Sequence, residues 1–172
     1  MLNKPIPADR ELIIKDNILI KLKLDGRNII EFANDDFIDL VGYDVYEIIS
    51  HNFDTIRHPD TPNTIYDYLW ENILTKQDTY LIAKFLSKSG AFFWLQIRFE
   101  LKINEDTNNL ENIYLYCSKV DKSHKDYLSK IYSTILNIEK HSSLKVAENY
   151  FSGILEEKQQ NYTEFIHSFC KD

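Results

Sequence analysis

FWLQIRFELKI, residues 93–103, alternates apolar and polar side chains over its whole length. Successive side chains of a strand point to opposite faces of a sheet, so this pattern predicts a long antiparallel strand with one buried face. Trp94 falls on the polar face, and an aromatic ring there indicates that something covers this outer face. Four other segments have strand patterns, which makes five strands in all: 18–24, 28–32, 79–86 and 113–120.

Short helices are predicted between the second and third strands. Asn34 is a suitable N-cap for a helix over residues 35–41, and Asp44 begins a further helical turn. Thr61 has the character of an N-cap, with Pro62 at the first position of a longer amphipathic helix. The order of these elements predicts an α+β domain, in which a five-stranded antiparallel sheet carries short helices on one face.

The two ends of the chain differ from this region. Residues 1–16 carry two prolines and mixed charge, and we expect them to form an N-terminal cap or arm. Residues 122–172 show two amphipathic helices, the second of which is expected to run from near Ser142 to Phe169. Such helices can fold back on the sheet, pair with each other or dock a partner. We expect a helical hairpin that closes on itself or on a second copy of the chain.

Composition restricts the class of protein. The chain has 172 residues, a net charge of −7 and no basic cluster, which argues against nucleic acid as a partner. Cys117 and Cys170 are far apart, so neither a disulfide framework nor a zinc site is expected, and a cytoplasmic location is the simple inference. No run reaches ~18 apolar residues, and we therefore expect no direct insertion into a membrane.

The segment Arg57–Pro62, RHPDTP, combines a cation, an imidazole and a carboxylate with two prolines. Proline fixes its own φ and restricts the residue before it, so this segment is expected to be a rigid loop that presents its side chains. It precedes a helix, and the backbone donors at a helix N-terminus favour an anionic or polar guest. The alternative interpretation is a capped helix start with a surface salt bridge.

Catalytic and metal chemistry have weak support in the sequence. His58 and Asp60 lie two residues apart and lack a second pair of ligands at metal spacing. The chain has no nucleophile-elbow motif and no glycine-rich loop that could hold a phosphate. We therefore expect no metal site, no catalytic residues and no enzymatic activity.

Several motifs in their order along the chain resemble the PAS domain family. The segments 32–37 and 41–43, FANDDF and VGY, resemble the early part of a PAS domain. The segments 56–62 and 68–70, IRHPDTP and YLW, resemble the flavin-binding PAS domain of bacterial aerotaxis and energy-taxis receptors, and KSGAFFW at 88–94 fits the same family. The resemblance covers about residues 17 to 121, so we expect these residues to form a PAS sensor domain.

This resemblance implies a redox or energy-taxis sensor that holds FAD non-covalently and signals through protein contacts. Carried over by position, the candidate FAD-binding residues are Arg57, His58 and Asp60, with Trp70 in support and Asn34 as a further candidate. The implied partner is a membrane-bound chemotaxis transducer or another signalling protein, and a homodimer is a further possibility.

Two positions on the strand side of the implied pocket depart from the family pattern. Thr79 lies where a tryptophan and a glycine are common, and Phe85 follows Lys84 where an asparagine is common. A hydrocarbon ring at Phe85 cannot bond to the flavin. A PAS interaction module without a cofactor, its pocket filled by side chains such as Phe85, is therefore the alternative, and a small flavoenzyme is a third hypothesis.

Overall fold

The computed structural model describes residues 2–171. The five strands are β1 (Ile20–Asp25), β2 (Ile30–Ala33), β3 (Thr79–Leu86), β4 (Phe92–Ile103) and β5 (Leu110–Ser118). The helices are α1 (Asp35–Val41), α2 (Val45–Ile48), α3 (Asn63–Leu74), α4 (Lys122–His141), α5 (Leu144–Lys158) and α6 (Tyr162–His167), with a 3₁₀ turn at Phe53–Ile56. None of the helices in this part of the chain is long and apolar enough to cross a membrane.

The strands form one antiparallel sheet in the order β2-β1-β5-β4-β3, which confirms the predicted α+β fold. The connection through α1, α2 and α3 carries the chain from one edge of the sheet to the other. In the β3–β4 pair, Phe85 lies opposite Phe93 and Lys84 opposite Trp94. The sheet therefore has an inner face with the phenylalanines, which packs on the short helices, and an outer face with Lys84 and Trp94.

Hydrocarbon side chains fill the space between the inner face and the short helices. Phe85 and Phe93 are fully buried, with ring centroids 6.1 Å apart. Phe53 of the 3₁₀ turn approaches Phe85 from the helical side, at 5.4 Å between centroids. Phe37 of α1 and Ile56 at the end of the 3₁₀ turn are also fully buried. Burial of this much apolar surface is the main stabilising contribution to the sheet–helix contact.

The C-terminal region contains three helices, so the prediction of one continuous helix from Ser142 to Phe169 is wrong. Helix α5 ends because Gln159 takes a left-handed conformation with φ of 55°. Asn161 then begins α6, since its side chain accepts from the Glu164 amide and the Glu164 carboxylate accepts from the Asn161 amide. This reciprocal capping box defines a new helix start that an apolar periodicity alone does not reveal.

The three C-terminal helices pack beside α3, along the edge of β3 and against the outer face. Trp94 is only 5% exposed, in agreement with its predicted cover, and Tyr132 of α4 lies next to it. Tyr80 of β3 stacks on His167 of α6, with centroids 4.5 Å apart. Tyr68 of α3 meets Phe151 of α5 edge-on at 5.1 Å. Helices α4 and α5 also contact each other.

The free edge of β3 is covered along most of its length. The Tyr80 carbonyl accepts from the hydroxyl of Tyr162 at 2.9 Å, and the Ile82 carbonyl accepts from the hydroxyl of Tyr132 at 2.7 Å. The Lys84 carbonyl accepts from a loop amide at 3.3 Å. Unpaired carbonyls on an edge strand invite pairing with another chain, so these contacts protect the sheet from association.

The N-terminal segment runs beside the start of β4. The Ala8 amide donates to the Gly90 carbonyl at 2.9 Å, and the Leu12 amide donates to the Phe92 carbonyl at 2.7 Å. Gly90 has φ of +86°, and a Cβ there would lie 2.1 Å from the Ile6 carbonyl oxygen. Only glycine permits this close approach of the two backbones.

Candidate functional site

The Arg57–Pro62 loop continues the edge of β3. Arg57 forms an antiparallel bridge with Phe85, and the His58 amide donates to the Lys84 carbonyl. The Thr61 amide then donates to the His58 carbonyl and closes a tight turn. Backbone hydrogen bonds therefore hold the loop in place, and its two prolines restrict its backbone further. Its side chains extend in different directions.

His58 is buried and neutral in this loop. The residue is 5% exposed, and its ring Nδ1 accepts a hydrogen bond from the Asp60 amide at 3.0 Å. A ring nitrogen that accepts from an amide carries no proton. Burial lowers the pKa of His58, and this effect exceeds the opposing one of the Asp60 carboxylate. The edge of the ring packs on Phe92 of the outer face, so His58 points away from the inner face.

Asp60 and Arg57 have partners within the protein. The Asp60 carboxylate accepts from the Lys84 ammonium at 2.9 Å, and Lys84 itself belongs to the outer face. The Arg57 guanidinium lies 3.5 Å from the centroid of the Tyr66 ring and donates to Asn63 Oδ1 at 2.6 Å. Both charges are therefore neutralised or stacked on the rim of the domain, where each contributes to holding the loop.

Tyr66 has the one unusual polar atom at this rim. Its hydroxyl is buried and, within the described part of the chain, has no hydrogen-bond partner. Burial raises the pKa of Tyr66 well above its usual value, so the hydroxyl stays protonated. An unpartnered buried hydroxyl is energetically unfavourable, and it can donate to a guest or a water molecule.

The other two sequence candidates lie apart from the loop. Trp70 is half-buried on α3 and packs against the core. Asn34 has a structural role, because its side chain accepts from the Phe37 and Lys21 amides and donates to the Leu19 carbonyl at 2.9 Å. Arg57, His58 and Asp60 share the loop, but the Arg57 side chain contacts α3 whereas those of His58 and Asp60 contact the outer face of the sheet. Trp70 and Asn34 lie apart from the loop.

Glu139 of α4 caps the N-terminus of α3, a contact that sequence reasoning missed. Its carboxylate accepts from the Thr64 amide and the Thr64 hydroxyl, both at 2.7 Å, and from the Asn63 amide at 3.3 Å. The predicted Thr61 N-cap is wrong by one residue, since Pro62 occupies the cap position. The hydroxyl of Thr61 instead accepts from the Lys84 amide. Proline offers no capping side chain, and Glu139 supplies the missing acceptor.

One signal in the sequence could have found Glu139. The buried positions of α4 are Leu128, Tyr132 and Ile135, and residue 139 is the next position on that stripe. A carboxylate on the apolar face of an amphipathic helix needs a partner, because an unpaired buried charge is costly. The best available partner is a helix N-terminus, where amide donors and the dipole favour an anion.

The inner face does not fit an isoalloxazine ring in this structure. A flavin ring needs hydrogen-bond partners for its polar edge, but Leu81, Ala83, Phe85, Phe93 and Leu95 present only hydrocarbon and are fully buried. Seven buried polar side chains already have partners within the protein: Asn28, His58, Thr61, Thr64, Thr79, Ser87 and Gln96.

Thr79 illustrates how the strand side of the implied pocket is used. Its hydroxyl lies 2.9 Å from that of Thr163 in α6 and within 3.5 Å of the Asn72 amide nitrogen. The Thr79 hydroxyl thus helps to anchor α6 to the strand. It is already engaged in these hydrogen bonds.

A cleft of about 680 Å³ lies beside the loop, on the outside of the domain. Asp60, Lys84 and Trp94 line one wall, and Ser133 and Asn137 of α4 line the other. It is therefore separate from the inner face. The described residues also contain no group of three or more His, Cys, Asp or Glu side chains that could hold a metal ion.

Known proteins are similar to this chain in sequence and in fold. The family model of the PAS fold matches residues 30–113. The aerotaxis receptor of Escherichia coli K12 is 24% identical over 96 residues, which are 56% of this chain and 19% of that receptor. This chain therefore spans about a fifth of the length of that relative.

Two solved structures have a similar fold. A light-oxygen-voltage domain studied with a flavin analogue has a TM-score of 0.58 at 20% identity, over 67% of this chain and 87% of that one. The PAS domain of the fruit-fly ELK potassium channel has a TM-score of 0.51 at 21% identity, over 58% and 85%. With the strand order β2-β1-β5-β4-β3 and the short helices on the inner face, these similarities show that the chain has the PAS fold, and its sequence is similar to part of an aerotaxis receptor.

Proposed function

We propose that this chain is a cytoplasmic PAS signalling module of the energy-taxis type. It acts through protein contacts on a membrane-bound chemotaxis transducer. The observation that carries this proposal is the packed inner face. Phe53, Phe85 and Phe93 pack on one another between the sheet and the helices, where the resemblance to flavin-binding PAS domains implies a ligand, and this packing supports an interaction module without a cofactor. The similarity to an aerotaxis receptor supports the choice of pathway.

The second candidate is a redox sensor that binds FAD, and two observations favour it. The sequence of the loop with Arg57, His58 and Asp60 resembles that of flavin-binding PAS domains of aerotaxis receptors. The hydroxyl of Tyr66, whose ring Arg57 covers, has no hydrogen-bond partner among residues 2–171. In this version Arg57 would pair with an anionic part of the cofactor, while His58 and Asp60 would hold the loop. The bound flavin would supply redox sensitivity. It would also require Phe85 to move, since that ring is fully buried.

The visible spectrum of the purified protein distinguishes the two candidates. For the module without a cofactor, we expect a colourless protein that stays colourless after incubation with FAD and gel filtration. Bands at about 370 and 450 nm, where oxidised flavin absorbs, would establish a bound flavin and favour the FAD version. A pull-down with the cytoplasmic part of a chemotaxis transducer tests the contact that both candidates share.

If flavin is retained, substitutions in the loop test its role. We expect Arg57→Ala to lower the affinity for FAD at least about tenfold, because a charge-assisted contact contributes about 1.5–3 kcal/mol. Asp60→Ala is expected to lower it as well, because it removes the ion pair with Lys84 that holds the loop. Arg98→Ala is a matched control, since Arg98 is exposed on the outer face and pairs with Glu100. Full occupancy in both loop variants would show that the loop holds the fold and not the cofactor.

A further inference from the structure

The contact of Glu139 with α3 joins two parts of the chain that are 75 residues apart. The Thr64 amide and hydroxyl both donate to one carboxylate oxygen, and the Asn63 amide donates to the other. Thr64 is fully buried and Glu139 is half-buried, so water competes little for these hydrogen bonds. Charge-assisted hydrogen bonds in such surroundings are among the strong ones in proteins.

The start of α3 and Glu139 depend on each other for these hydrogen bonds. The N-cap of α3 is Pro62, which forms no side-chain cap, so Glu139 is the side-chain acceptor for the first amides of this helix. Glu139 in turn lies on the buried stripe of α4 after Tyr132 and Ile135. Separation would leave buried donors and a carboxylate without partners, so the start of α3 and the end of α4 are expected to move together.

The same turn of α3 is connected to the RHPDTP loop. Asn63 accepts from the Arg57 guanidinium through its side chain and donates to Glu139 through its backbone. Arg57 in turn stacks on Tyr66, whose buried hydroxyl has no partner in the described part of the chain. A continuous set of contacts therefore runs from Tyr66 through Arg57 and Asn63 to Glu139 and α4.

We propose that Glu139 is a positioning residue that couples the RHPDTP loop and α3 to the C-terminal helices. A shift of the loop moves the first turn of α3, and the Glu139 contact carries this displacement to the end of α4. The inference rests on the proposed function in one respect: if the PAS domain signals through protein contacts, α4–α6 carry its output. Coupling of this kind requires an energetic link in both directions.

Hydrogen exchange on the full chain, resolved by residue or by short peptide, tests the coupling. In Glu139→Ala we expect amide exchange to rise at least about tenfold both in the first turn of α3 and in the last two turns of α4, while β1 and β5 stay protected. Glu139→Gln retains an acceptor oxygen, and amide exchange in this variant is expected to lie between that of the unchanged protein and that of Glu139→Ala. Glu157→Ala, an exposed substitution on α5, is the matched control.

The reciprocal variant is Thr64→Val, which removes the hydroxyl and keeps the shape of the side chain. We expect faster exchange at the end of α4, although no residue of α4 has changed. Exchange that rises on one side of the contact only, or equally throughout β1 and β5, would overturn the coupling, since the contact would then be a local cap or a global stabiliser. No cofactor or transducer is used, so failure of the coupling and failure of the proposed function are separate results.

Discussion

Phe85→Ala is expected to lower the free energy of unfolding by about 3–5 kcal/mol, the usual range for removal of a buried phenylalanine ring. Phe85 is fully buried, lies opposite Phe93 in the sheet and meets Phe53 of the helical layer at 5.4 Å. The helices and the strands both lose contacts, so neither layer can close the cavity alone. Domains of this size have total stabilities of about 5–15 kcal/mol, which makes this a large fraction.

Urea denaturation followed by circular dichroism measures this change, with the midpoint compared at constant m-value. Phe32→Ala is the control, because Phe32 is 53% exposed on β2, and we expect a loss below about 1 kcal/mol. A loss below about 1 kcal/mol for Phe85→Ala would contradict the filled inner face. It would also restore the case for a pocket with room for a flavin.

The sheet could be predicted from the sequence because its signal is local. The alternation in 93–103 defines which side chains are buried, and it assigns Trp94 to a covered outer face. The burial of Phe85 was also accessible to sequence reasoning, because the sequence analysis identified its ring as a side chain that could fill the inner face. Such features depend on residue type and period, which the chain carries by itself.

The direction of the loop side chains could not be predicted in the same way. A rigid loop was expected from Pro59 and Pro62, but the packing of His58 on Phe92 depends on where β4 lies. The pairing of Asp60 with Lys84 likewise depends on the edge position of β3. These partners are distant in sequence, and the choice between the inner and outer side of the loop is therefore tertiary.

The C-terminal helices show the same division. Their apolar stripes predicted that they pack against something, and Phe151 and Phe165 are indeed buried. The break at Gln159 depends on the left-handed backbone conformation of this one residue. Glutamine seldom adopts that conformation, and a pattern of apolar residues does not reveal it. The role of Glu139 could not be predicted without knowledge of where α3 lies, although its place on the buried stripe of α4 was a signal in the sequence.

Tyr132→Ala is expected to reduce the free energy of unfolding by about 3–5 kcal/mol, and Tyr132→Phe by about 1–3 kcal/mol. Tyr132 is buried between α4 and the edge of β3, where its hydroxyl donates to the Ile82 carbonyl at 2.7 Å. The alanine variant loses the ring and the hydrogen bond, whereas the phenylalanine variant loses the hydrogen bond alone. The difference between the two separates ring packing from protection of the edge.

Urea denaturation gives both values, and Tyr127→Phe is the matched control, since Tyr127 lies on the same helix but is 39% exposed. A second measurement concerns the edge itself. In Tyr132→Phe combined with Tyr162→Phe, the Ile82 and Tyr80 carbonyls both lose their donors, and an uncovered edge strand pairs readily with another chain. We therefore expect size-exclusion chromatography to show concentration-dependent association of the double variant. A double variant that stays monomeric, with a stability equal to that of the unchanged protein, would show that the two hydroxyls do not protect β3.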